Sequence, residues 1–213
     1  MELRVNDLLK IKSVNDLIGD VSEASWIDEA IKSAPYVVVR RAPIMNNKVP
    51  VGIRGNSRSQ RLATTVLSGN IIDIITPEQL VVGKLWRDNK HISNTKMLRT
   101  LEAVDSIFKS YRITWGPTGS VGFELASGVE TITNTSDLDI IARTPEVLPI
   151  WIAEKIENEL LEMPIKIDVQ LETLKGSIAL AEYARGSGKV MLRTLNGPML
   201  VLNPWSDYEQ LEG

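Results

Sequence analysis

The chain has 213 residues, 43% of them apolar and 24% charged, and it contains no cysteine. That composition is globular and long enough to bury a core, and it excludes a disulfide framework, thiolate catalysis and cysteine-based zinc or iron–sulfur sites. A net charge of −3 argues against a protein that coats nucleic acid, and no segment approaches the ~20 consecutive apolar residues of a membrane span.

The stretch MELRVNDLLKIKSVND alternates charged with apolar residues and has no signal-like apolar core, so a cytoplasmic protein is expected. In chain order, SEASWIDEAIKSAP predicts a helix and YVVVRR and VPVGI predict strands. SQRLATTVLSG then predicts a second helix, closed by Gly69. NIIDII is a strand, and Thr76, Pro77 and Glu78 form a helix start signal. The polar run RDNKHISNT divides an amino-terminal α/β domain, 1–92, from a second domain, 93–213. His91, the one histidine, reads as a solvated loop residue of that run.

In the second domain, Leu98, Leu101, Val104 and Phe108 share one side of a helix, and YRITW is a strand. TGSVG opens a short helix and SDLDII is a strand. Thr144, Pro145 and Glu146 repeat the start signal for a helix of about 18 residues, or about 27 Å, with Leu148, Ile152, Ile156 and Leu160 as its buried stripe. IKIDVQLET, GSIALAEYARG and KVMLRTLNGPMLVL read as strand, helix and a closing pair of strands. Trp115, Trp151 and Trp205 are expected to pack in the interior. The fold class is α/β (α+β): a mixed sheet with flanking helices, plus the smaller α/β domain before it.

Three features carry chemistry. From Ile31 to Ile72 there is no acidic residue and there are seven basic ones. Within that stretch GIRGNSRSQR spaces Arg54, Arg58 and Arg61 so that they share one face if the segment is helical, which suits a polyphosphate. An acidic carrier would meet the same surface. Next, Asp137 and Asp139 point to one side of a strand. Two carboxylates ~6 Å apart repel by roughly 3 kcal/mol at an effective dielectric near 20, a cost that a divalent cation such as Mg²⁺ removes. The helix after them is long enough to return the chain so that a neighbouring strand brings Asp168 beside the pair. Three carboxylates are what a two-metal phosphoryl-transfer site needs. Third, Gly119 and Ser120 open a helix whose amino terminus favours phosphate.

At these residues the chain resembles the nucleotidyltransferase superfamily, whose members pair a Gly-Ser turn with a D-x-D strand and a third acidic strand. It is more narrowly similar to the malonate decarboxylase holo-acyl-carrier-protein synthases, or phosphoribosyl-dephospho-CoA transferases. VVVRR, VPVGIRGNSRSQR, TPEQL, GSVGFELASG, SDLDII, IDVQLETLKGSIALAEYARG and VMLRTLNGP carry that likeness over most of the chain. The resemblance implies transfer of a phosphoribosyl-dephospho-CoA group from triphosphoribosyl-dephospho-CoA to a serine of the apo acyl carrier subunit of malonate decarboxylase, with pyrophosphate released. It implies two Mg²⁺ ions on Asp137 and Asp139, with Asp168 as third ligand or general base. Gly119 and Ser120 would hold the β- and γ-phosphates, and Arg54, Arg58 and Arg61 would reach them from the first domain. An ordinary nucleotidyltransferase and a non-catalytic phosphate-binding module are the other readings.

Overall fold

The structure is a computed structural model that describes residues 3–19, 25–57, 59–92 and 95–206. Two six-stranded sheets organise it. The first contains β1 (Leu8–Lys10), β2 (Leu17–Ile18), β3 (Tyr36–Val39), β4 (Lys48–Arg54), β5 (Arg61–Leu67) and β6 (Asp73–Ile75), in the order β2-β5-β4-β3-β1-β6. Every neighbouring pair in it is antiparallel.

Period-two alternation gives this sheet two different faces. Leu9, Val37, Val39, Val49, Val51, Ile53 and Val66 form one face and bury against Ile27 and Ile31 of helix α1 (Trp26–Ser33). Leu8, Val38 and Ile75 belong to the opposite face, where Phe123 of the second domain packs.

The second sheet contains β7 (Thr114–Pro117), β8 (Leu138–Arg143), β9 (Ile167–Glu172), β10 (Ser177–Ala179), β11 (Val190–Thr194) and β12 (Gly197–Val201), in the order β12-β11-β10-β9-β8-β7. Only β8 and β9 run parallel, joined across α5 (Ile150–Leu161). The other neighbours are antiparallel, so the sheet is mixed. Helices α3 (Lys96–Ser110) and α4 (Gly119–Ser127) and the single turn α6 (Leu180–Tyr183) flank it. Helix α2 (Pro77–Val82) begins on a reciprocal Thr76–Gln79 capping box. Leu80 of α2, Trp86 and Ile92 are buried in the core of the second sheet. Trp115 stacks on Phe108 at 5.8 Å in that core, and Trp205 meets Tyr183 edge-on at 5.1 Å.

Four local expectations differ from this fold. SQRLATTVLSG is not a helix, since Arg61–Leu67 is strand β5. Its β-branched Thr64, Thr65 and Val66 suit a pleated surface, and the turn after Arg54 folds it back on β4. The start signal at Thr144 is not used. Thr144 donates its N–H to the Glu172 carbonyl at 2.8 Å, prolonging the sheet, and Pro149 then stands at the helix cap. A helix begun at Pro145 would have met Pro149 in its interior, so α5 has 12 residues. GSIALAEYARG opens as strand β10 before the one turn of α6. Trp151 is 58% exposed, with Lys155 over its ring, because it lies off the stripe that α5 buries.

Candidate active site

Strand β8 presents its chemistry at its first residues. Leu138 and Ile140 are buried on one side, leaving Asp139 half-buried on the other, and Asp137 stands immediately before the strand. The parallel register sets Asp139 level with Asp168 of β9. The Leu138 N–H donates to the Lys166 carbonyl at 2.9 Å, so the alignment continues to the strand ends. Three carboxylates and one ammonium therefore occupy adjoining positions on one sheet face. Lys166 donates to Asp168 at 2.6 Å. Its pKa is raised, first by that hydrogen bond and charge and then by the charges of Asp137 and Asp139.

The turn from β7 into α4 is packed against Asp139. Gly119 has φ +59°, and a Cβ there would overlap the Asp139 carboxylate. The Thr118 N–H donates to the Asp139 carbonyl at 2.8 Å, which ties the turn to the aspartate strand. Ser120 follows at the start of the helix, and its carbonyl accepts the Thr131 hydroxyl at 2.8 Å. The long connection from α4 to β8 is pinned from beneath. Buried Glu124 accepts the N–H groups of Thr131 and Ile132 at 2.7 and 2.8 Å, and His91 Nδ1 lies 2.8 Å from its other oxygen. His91 is an exposed turn residue, as expected, but its ring is held by Glu124, which raises its pKa.

Between the two sheets lies a cleft of about 440 Å³. Thr118, Gly119, Phe123 and Asp139 form one wall, and Arg40, Arg54 and Arg61 belong to the other. Arg54 and Arg61 are direct cross-strand partners of β4 and β5, so a hairpin brings them together in place of the expected helix face. Arg58 lies outside the described residues. A second, polar cleft of about 850 Å³ is lined by Asp137, Ser136, Lys166, Lys96 and His91. Asp139 lines the first cleft and Asp137 the second, at neighbouring positions of one sheet face, while Ser120 and Asp168 line neither.

Comparison with known proteins points the same way. Residues 4–77 match the family model for the phosphoribosyl-dephospho-CoA transferase MdcG N-terminal domain, and residues 84–204 match the model for its C-terminal domain. The chain belongs to the phosphoribosyl-dephospho-CoA transferase family. It is accordingly a transferase enzyme. A relative of that name from Pseudomonas syringae pv. tomato is 37% identical over 94% of this chain and 92% of its own length. One from Pseudomonas putida is 37% identical over 97% of both chains, and one from Azotobacter vinelandii is 33% identical over 95% and 94%. No solved structure matches the chain.

Within this family member, no three carboxylate or imidazole side chains among the described residues are gathered closely enough to hold a metal by themselves. Also among the described residues, no helix is long and apolar enough to cross a membrane. Sequence reasoning missed two residues of the site. Lys166 stands two residues before Asp168 and so shares its face, a spacing visible in KID. Glu124 is the single charged residue of GSVGFELAS, a signal that a carboxylate is buried for a reason.

Proposed function

We propose that the protein transfers the 2′-(5″-phosphoribosyl)-3′-dephospho-CoA group from its triphosphate precursor to a serine of the apo acyl carrier subunit of malonate decarboxylase, releasing pyrophosphate. The observation that carries this reading is the register pairing of Asp139 with Asp168, beside a glycine turn that leaves room for nothing larger than hydrogen against Asp139. The names of the relatives supply the donor class.

The serine oxygen bonds to the α-phosphorus, the bond from that phosphorus to the β-phosphate oxygen breaks, and pyrophosphate leaves in line. Gly119 and Ser120 at the amino terminus of α4 receive the leaving phosphates, and Arg54 and Arg61 hold the donor from the first domain. The serine approaches through the polar cleft beside Asp137. Asp168 is a third metal ligand or takes the serine proton.

Asp137, Asp139 and Asp168 fit Mg²⁺. All are hard oxygen donors, and Lys166 already draws a positive charge into their field. Mg²⁺ usually takes one or two carboxylates and fills its remaining positions with water and substrate phosphate, so no closed protein cage is needed. When bound it supplies charge neutralisation on the phosphates and lowers the pKa of the attacking hydroxyl.

Incubation with Mg²⁺, the triphosphoribosyl donor and the apo carrier, followed by intact-mass measurement of the carrier, tests the reading. A gain of the phosphoribosyl-dephospho-CoA mass is expected, and Asp139→Asn should abolish it while leaving the melting temperature within a few degrees. No gain with that donor but one with ATP would replace this reading with an ordinary nucleotidyltransferase.

A further inference from the structure

The open face of the first sheet is shaped as a binding wall. Val38, Gly52 and Ala63 lie level across β3, β4 and β5, with Leu8 and Ile75 continuing the row on β1 and β6. Gly52 and Ala63 carry almost no side chain, so the middle of the row is hollow. One position further along β4 and β5 on the same face, Arg54 and Arg61 stand directly opposite each other. Arg40 reaches the hollow from the other side, its Cγ and Cδ 3.6 Å from where a Cβ on Gly52 would stand. Two guanidinium groups are thereby presented at one place on the cleft wall, and a diphosphate accepts paired N–H groups of that kind.

The same cleft has Gly119 and Asp139 on its opposite wall, where the function proposed above puts the reacting phosphate. Leu8, Val38, Ile75 and Phe123 join the two walls with apolar surface. One cleft thus offers two anion-binding regions with an apolar seat alongside. Dephospho-CoA carries a diphosphate on its adenosine, and the donor adds a triphosphate on a further ribose. That molecule has two separate anionic chains with an adenine between them, whereas a nucleoside triphosphate has one.

We infer that Arg40, Arg54 and Arg61, around the Gly52 hollow, bind the diphosphate of the dephospho-CoA half of the donor, with the adenine against the apolar seat, so that this donor engages both walls at once. The inference rests on the function proposed above and divides the donor between the two walls. The arginines read the part that is not consumed, and α4 with the aspartates handles the part that reacts.

The test uses ligands that cannot react. Calorimetry with dephospho-CoA, which has no triphosphate, should give binding to the wild-type protein that weakens about tenfold or more in Arg54→Ala and Arg61→Ala. Adenosine, which lacks the diphosphate, should bind wild type and variants equally, and unchanged melting curves confirm that the variants fold. Equal affinity of wild type and variants for dephospho-CoA, or loss confined to inorganic tripolyphosphate, would overturn the assignment. So would a wild-type protein that transfers the group yet does not bind dephospho-CoA. Failure of the carrier reaction alone would remove the proposed function and leave the subsite standing, because the binding measurement needs neither carrier nor triphosphate.

Discussion

Gly119 meets two constraints at once, a left-handed backbone at φ +59° and contact with the Asp139 carboxylate that leaves no room for a Cβ. Gly119→Ala should therefore cost about 1–2 kcal/mol of stability from backbone strain and, by moving Asp139 or the turn, at least ~100-fold in kcat. Thermal melts and the carrier mass assay measure the two effects separately, and wild-type kcat in the variant would dissociate the turn from the chemistry. Residues of this kind were legible because side-chain alternation is a short-range rule. It aligned Asp137 with Asp139, and the length of the following crossover allowed Asp168 to return beside them. The salt bridge from Lys166 to Asp168 depended on nothing longer in range, but a search for carboxylates passes over the lysine between them.

Among the elements, the β4–β5 hairpin was the one misread with consequences for the site. RLATTVL offers Leu62, Thr64 and Val66 at period two as readily as a helical stripe. The choice was made by the partner strand, whose register runs unbroken from Lys48↔Leu67 to Arg54↔Arg61. The arginines were thus convergent for a different reason from the one their spacing suggested. The connection from α4 to β8 shows the same dependence on tertiary partners. Its order comes from Glu124, and His91, far upstream, closes the cluster. The His91 pKa lies above its ordinary 6.5, so the stability that this contact contributes is complete below about pH 6.5 and is lost as pH rises through the higher folded-state value. His91→Ala should cost about 1 kcal/mol near pH 6 and progressively less toward pH 9. Melting curves of both proteins across that range check it, and a pH-independent difference would mean the imidazole contributes packing alone.

At the scale of the whole molecule, the cleft has its shape because the two sheets are clamped together by charges that no local pattern announces. Arg41, just after β3, donates to both oxygens of Glu172 at the end of β9, at 2.8 and 2.5 Å, across 131 residues of sequence. Glu78 of α2 pairs with Arg143 at the end of β8, and its pKa is lowered even though its burial works in the opposite direction. Asp7 is almost fully buried beside that pair, with one oxygen taking the Arg4 N–H at 2.8 Å and the other without a hydrogen-bond partner among the described residues. Burial pushes its pKa up to about 6, with Glu78 adding to the rise and the Arg4 N–H and Arg143 opposing it. The folded state therefore holds a proton that the unfolded chain has already released, and stability falls as pH rises from about 4 through about 6. Above that window the buried charge remains as a cost of up to about 3 kcal/mol. Asp7→Asn keeps an oxygen for the Arg4 N–H and removes the charge, so it should raise the denaturation midpoint at pH 7.5 and lose that advantage below pH 4. If the variant is instead less stable than wild type at pH 7.5, the Asp7 carboxylate is a working member of the Glu78–Arg143 clamp, and its attraction to Arg143 outweighs its burial.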